Sequence, residues 1–272
     1  GIGSGGWANP DVARSAALHA EASGIESLWT GEHVVLPDPR QAPSPAEPDF
    51  AMLHPSTSLA FLAGITRKVK LGTGIVLIAQ RNPVVLAKEM ASLDVVSQGR
   101  LLLGIGAGYL HQEFAALGVE FSQRGARTDE AIEVMRALWN QPKPSFKGRF
   151  YNFADIRAEP RPVQPGGPPI IVGGTSDAAL RRSLKYAQGW YGFALNVEQT
   201  AGVLARLKAL SNEVTRPSEL GELEISVTPG LRLDQASVNA FADLGVHRLI
   251  PMMPQDTQAS VLKQIDSLSS LR

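Results

Sequence analysis

Short apolar runs and amphipathic stretches alternate along nearly the whole chain. VKLGTGIVLI, RLLLGIG and PPIIVGG are apolar on successive residues, the pattern of strands buried on both faces. Between such runs, apolar residues fall at three- and four-residue spacing, as Val12, Ala16, Ala17 and Ala20 do, which predicts helices with one buried stripe. Strands are predicted at 2–5, 25–30, 69–76, 100–106, 169–172, 190–194, 223–228 and 247–250. Helices are predicted from residue 10 to Gly24, then at 55–66, 83–96, 110–139 in two pieces, 177–187, 198–210, 235–244 and 258–268. Asn9-Pro10 and Asn82-Pro83 are start signals, with Asn as cap and Pro in the first turn. Thr128-Asp129-Glu130 reads as a further helix start with acids in its first turn.

Eight strands alternating with eight helices imply a parallel sheet with crossover helices, so the class is α/β. In 272 residues this fits a closed (β/α)₈ TIM barrel better than an open doubly wound sheet. We therefore expect a single domain over residues 1–272, with two additions. Residues 37–48 carry five prolines after the second strand. Residues 142–169 carry seven prolines plus KGRFYNF before the fifth, and the 142–168 stretch reads as an insertion with a small hairpin. The opening GIGSG reads as the inside of a strand, which implies residues upstream of Gly1.

Composition narrows the function. With 26 basic and 26 acidic side chains, the net charge is zero, which argues against binding driven by charge to nucleic acid or an anionic membrane. The chain has no cysteine, so disulfides, thiolate metal sites and thiol nucleophiles are excluded, and a reducing cytoplasm is compatible. No apolar run reaches the ~18 residues of a membrane span and no basic-then-apolar leader opens the chain. No metal-ligand spacing is visible among the histidines.

In a barrel of this type the chemistry gathers where strands end. Glu32 and His33 follow the second strand. His33 is the acid–base candidate, since imidazole titrates near neutral pH; the other reading is a solvated loop histidine. Glu32 either orients His33 or is an exposed loop carboxylate. Thr73, Gly74 and Ile75 follow the third strand, Gly106, Ala107 and Gly108 the fourth, and Gly173, Gly174, Thr175 and Ser176 the fifth. Glycines there suit close approach of something flat or phosphorylated. GGTS ahead of a helix offers free amides and two hydroxyls to a phosphate, or Thr175 or Ser176 simply caps that helix. His54, before Pro55, reads as a helix-start or pocket residue.

HAEASGIESLWTGEHVVLP, the stretch from KLGTGIVLIAQRNP through GRLLLGIGAGYLHQEFAALGV, FSQRGARTDEAIEVMRALW, and FKGRFYNF with PRPVQPGGPPIIVGGTS and QGWYGF together resemble the bacterial luciferase-like superfamily. They look most like its deazaflavin (coenzyme F-420) dependent oxidoreductases. The resemblance implies hydride transfer between 8-hydroxy-5-deazaflavin and a small organic substrate, in a group where homodimers are common; a cytoplasmic location is expected. It places the ring against the third strand, with a bulge behind it formed by a non-prolyl cis peptide near Thr73-Gly74-Ile75, at Gly74-Ile75. It sets His33 beside the reactive carbon, the phosphate on Gly173, Gly174 and Thr175, and Gly106, Ala107 and Gly108 along the ring. Ala107 stands where FMN members can carry a phosphate-binding arginine. Tyr109 stands where a sugar-phosphate dehydrogenase of the group has a catalytic glutamate. Gln188 replaces the aspartate usual before Gly189-Trp190. The alternatives are a reduced-FMN monooxygenase that uses oxygen and a separate flavin reductase, and a barrel that binds a ligand without redox chemistry.

Overall fold

A computed structural model describes residues 3–254 and 257–271. Its sheet strands, all parallel, are β1 (Ser27–Thr30), β2 (Lys70–Thr73), β3 (Val76–Leu77), β4 (Leu101–Gly106), β7 (Ile170–Gly173), β8 (Gly189–Leu195), β9 (Glu224–Pro229) and β10 (Arg248–Leu249). Two short strands, β5 (Phe146–Lys147) and β6 (Asn152–Phe153), form a separate antiparallel hairpin inside the proline-rich insertion. The helices are α1 (Pro10–Ala22), α2 (Pro55–Ile65), α3 (Pro83–Val96), α4 (His111–Ala116), α5 (Arg124–Asn140), α6 (Asp177–Tyr186), α7 (Val197–Ser211), α8 (Gln235–Asp243) and α9 (Gln258–Ser269).

The start signals hold where a polar cap precedes proline. The Asn9 side chain accepts from the Asp11 and Val12 N–H groups, and the Asn82 side chain from that of Val84. The expected start at Thr128 is overturned. Helix α5 already begins at Arg124, and the Thr128 hydroxyl donates back to the Arg124 carbonyl one turn earlier. Asp129 pairs with Arg182 on α6, and Glu130 accepts the N–H groups of Arg149, Phe150 and Tyr151, which pins the hairpin to α5. The acids therefore tie neighbouring elements together and do not cap their own helix.

The closed eight-strand barrel is also corrected. The sheet runs β1-β2-β4-β7-β8-β9-β10, with β3 continuing β2 along β4. Among the described residues no backbone pairing joins β10 to β1, so the sheet is curled but open at that seam. The expected first strand does not enter it. Ile2 lies outside the described residues, Ser4 makes only an isolated antiparallel bridge to Met52, and Gly5–Ala8 form a 3-10 turn. A local apolar run does not decide whether a strand finds an edge to pair with.

Side chains span the seam at its lower end. The Arg248 guanidinium donates to Glu26 at 2.9 and 3.0 Å, ahead of β1, and to Glu224 on β9. Lys70 reaches Glu26 at 2.8 Å. Burial raises the Glu26 carboxyl, but the bonds from Arg248 and Lys70 outweigh it and hold the pKa down at about 2. Inside the sheet, Trp29, Leu102, Ile171 and Tyr191 fill the lower half, with the Trp29 and Tyr191 rings stacked 6.1 Å apart.

Candidate active site

Above that floor lies a cavity of about 1400 Å³. It opens at the C-terminal ends of the strands and also follows the open seam down to Ile25, Ile265 and Leu268. Of the residues expected at the site, Glu32, His33, Gly74, Ile75, Gly106, Ala107, Gly108, Gly173, Gly174, Thr175 and Ser176 all line it. Thr73 does not. It is fully buried, and its hydroxyl donates to the Gly104 carbonyl at 2.7 Å, tying β2 to β4. Phe193 and Met252 are exposed at the wall and add apolar surface.

The Gly74-Ile75 peptide is cis. Here the strand glycines have a specific job. A Cβ on Gly104 would sit 1.9 Å from the Thr73 carbonyl oxygen, and one on Gly106 would sit 2.1 Å from Ile75 Cδ1. A Cβ on Gly173 would lie 3.0 Å from the same methyl. Ile75 thus seats its side chain in a gap left by two glycines. What approaches these glycines closely is the chain's own bulge between β2 and β3.

His33 is held from both ring nitrogens. Its Nδ1 lies 3.3 Å from Glu113 Oε2 and its Nε2 3.2 Å from the Tyr109 hydroxyl. The imidazole is 7% exposed and the Glu113 side chain 0%, so this is not a solvated loop histidine. Glu113 also accepts the Val34 N–H at 2.6 Å and the Gln80 side-chain amide at 3.0 Å. Burial raises the Glu113 carboxyl, but the donors His33, Gln80 and Val34 outweigh it and leave its pKa lowered. Burial, and then the nearby Glu113 charge, raise the Tyr109 hydroxyl above its ordinary value. At the floor, burial pushes Tyr191 up to about 12, against a 2.6 Å contact with the Thr228 hydroxyl.

Glu32 does not orient His33, and it is not an exposed loop carboxylate either. It is 6% exposed, accepts the Leu77 N–H at 2.7 Å and pairs with Arg81. It secures the bulged segment from behind. His54 lies 4.0 Å from Glu32 and bonds Ser56, away from the cavity wall. The orienting carboxylate is Glu113, 80 residues from His33 in sequence and placed beside it by α4. No spacing rule marks it; only its lone acidic position on the buried face of a six-residue helix sets it apart.

At the fifth expected strand, β7 ends in Gly173 and α6 begins at Asp177. Ser176 caps α6 by accepting the Ala179 N–H at 3.3 Å. The Trp190 indole donates to the Gly174 carbonyl at 2.8 Å, which holds a glycine at φ +118°. The N–H groups of residues 175–178 engage no acceptor among the described residues and lie at the positive end of the α6 dipole; of these residues Thr175, Ser176 and Ala178 line the cavity. Gln188 accepts the Ile170 N–H at 2.9 Å, an acceptor's task that the usual aspartate could also perform.

The model for the Luciferase-like monooxygenase family matches residues 2–261. The chain belongs to that family. Among curated members, an uncharacterized protein of Mycobacterium tuberculosis is 27% identical over 266 residues, covering 94% of this chain and 92% of its own. The F420-dependent glucose-6-phosphate dehydrogenase of Amycolatopsis mediterranei is 33% identical over 165 residues, 58% of this chain and 46% of the dehydrogenase. Among solved structures, the monooxygenase RslO1 from Streptomyces bottropensis superposes with a TM-score of 0.73 at 22% identity, covering 96% and 93% of the two chains. An F420-dependent secondary alcohol dehydrogenase superposes with a TM-score of 0.77 at 16% identity, covering 97% and 94%. A structure named as a monooxygenase and one named as an F420-dependent dehydrogenase thus share the fold of this chain. No helix among the described residues is long and apolar enough to cross a membrane.

Proposed function

We propose that this luciferase-like protein is an F-420-dependent oxidoreductase that moves a hydride between a deazaflavin coenzyme and a small organic substrate. One observation carries the reading. A single cavity has a buried, doubly hydrogen-bonded imidazole on one wall and, on another, Thr175, Ser176 and Ala178 at a helix start with their backbone amides unengaged. The first suits proton transfer and the second an anionic phosphate.

The residues fit such a group. Gly106, Ala107 and Gly108 give a wall without bulky side chains, and the Gly74-Ile75 bulge lines the cavity with the partly buried Ile75 side chain laid against Gly106 and Gly173. Gly173, Gly174, Thr175 and Ser176 would hold the phosphate. A bound deazaflavin would supply hydride chemistry. The protein's own work is to hold the ring flat, exclude water and move a proton at His33. The F420-dependent relatives support this reading. In the second reading, reduced FMN occupies the same amides and a separate reductase supplies electrons; the family's monooxygenases favour it, and the alanine at 107 disfavours it.

Fluorescence titration with each cofactor decides between them. Micromolar deazaflavin binding with weak FMN binding is expected. The reverse order overturns the proposal in favour of the monooxygenase, and binding of neither favours a barrel without redox chemistry.

A further inference from the structure

His33 is not free to meet a substrate directly: each of its ring nitrogens is already engaged. The direction of each bond follows from the partners. Glu113 has a lowered pKa and, as a carboxylate, can only accept. It already takes hydrogens from Val34 and Gln80, so the third donor on it is His33 Nδ1–H. A neutral imidazole with hydrogen on Nδ1 has a lone pair on Nε2. The Tyr109 hydroxyl, 3.2 Å away, is then the donor to Nε2. Its own pKa is raised, which keeps that hydrogen in place at neutral pH. Tyr109 lines the cavity and is 43% exposed. What it offers the cavity is an oxygen whose hydrogen is committed behind it, so it presents lone pairs.

We propose that Tyr109 is the catalytic residue that touches the substrate, that it accepts the proton of a substrate alcohol, and that Glu113 is a positioning residue acting through His33. This rests on the hydride-transfer reading. As the alcohol is oxidised, its O–H bond breaks and the proton passes to Tyr109 Oη. The tyrosine's original hydrogen passes to His33 Nε2, and the resulting imidazolium is stabilised by Glu113. The carbinol C–H bond breaks with its electron pair, leaving as hydride to a bound acceptor of the deazaflavin or flavin class, and the C–O bond becomes a carbonyl. The geometry selects a hydroxyl donor, and Phe193 and Met252 at the wall favour an uncharged, apolar one.

The hydrogen-bond order can be read without cofactor. Nitrogen-15 NMR of the histidine ring in the cofactor-free protein is expected to show His33 with hydrogen on Nδ1. In Glu113→Gln, the side-chain oxygen stays on the Val34 N–H and the amide NH₂ takes the place facing His33. That group donates to Nδ1, so the hydrogen should move to Nε2. Tyr109→Phe should shift the Nε2 resonance by removing its donor. A wild-type tautomer with hydrogen on Nε2, an unchanged tautomer in Glu113→Gln, or an unmoved Nε2 resonance in Tyr109→Phe each overturns the relay.

The loaded protein supplies the second arm. With deazaflavin bound and propan-2-ol, cyclohexanol or 1-phenylethanol as hydride donor, Tyr109→Phe should lower kcat about 10²–10⁴-fold at unchanged cofactor affinity. Wild-type kcat in Tyr109→Phe, or no turnover of any of the three alcohols by the loaded wild type, overturns the substrate assignment. Failure to bind deazaflavin, with the Nδ1 tautomer intact, overturns the cofactor reading alone and leaves the relay standing.

Discussion

At the scale of single residues, the site depends on which side chains reach one another across the fold. His33 was legible as a candidate because it follows a strand end. Glu113 was not, because its partner is 80 residues away and meets it only when α4 packs over the strand ends. His33→Ala should cut turnover about 10²–10⁴-fold while cofactor affinity stays within error, if the imidazole serves the proton and not the binding. Steady-state kinetics beside a fluorescence titration make the distinction, and an unchanged turnover number removes His33 from the mechanism. Glu32 meets neither of its two expected roles for a related reason. Adjacency to His33 in sequence suggested contact, but successive residues leaving a strand point to opposite sides, and Glu32 turns to Arg81 and the Leu77 amide.

At the scale of elements, glycines and caps set the geometry of the cavity. The strand-end glycines, Gly106 among them, are expected to admit something flat or phosphorylated, and the group that approaches Gly106, as well as Gly104, is the chain's own β2–β3 bulge. Gly104→Ala is expected to destabilise by at least about 1–3 kcal/mol, because a Cβ 1.9 Å from the Thr73 oxygen forces the strands apart. A denaturant midpoint at the wild-type value would contradict the tight β2–β4 contact. At the start of α6, the Ser176 hydroxyl oxygen accepts the Ala179 N–H, and its own O–H can still donate to a phosphate beside Thr175 and the backbone amides. Thr175→Glu should weaken cofactor binding through charge and bulk, read by the same titration. Unaltered affinity would move the phosphate elsewhere. Most helix boundaries were legible because caps and prolines act locally. The start of α5 was not, since Thr128 and Asp129 make their contacts backwards along the helix and across to α6.

At the scale of the whole molecule, the open seam is the main departure from the expected closed barrel. The charged cluster of Glu26, Arg248, Lys70 and Glu224 bridges its lower end, where no backbone pairing joins β10 to β1 among the described residues. The folded pKa of Glu26, about 2, lies below its ordinary value of 4.5. Its contribution to stability is therefore fully present above pH 4.5 and is lost as pH falls towards 2. In Glu26→Gln, the loss of stability across that acid window should be shallower than in the wild type. Unfolding curves followed by circular dichroism between pH 2 and pH 5 test this, and identical slopes would remove Glu26 from the acid transition.

Local patterns along the chain carry the alternation of strands and helices, the capped helix starts, the strand ends that line the cavity, and the family. These depend on local propensity and on periodic burial, which are written residue by residue. Tertiary structure alone decided that the first apolar run stays outside the sheet, that the sheet remains open between β10 and β1, and that Glu113 rather than Glu32 stands behind His33. Each of those is a meeting of distant segments. Its free energy depends on which edges and side chains come within a few ångströms of one another, and no local pattern in the chain carries that information.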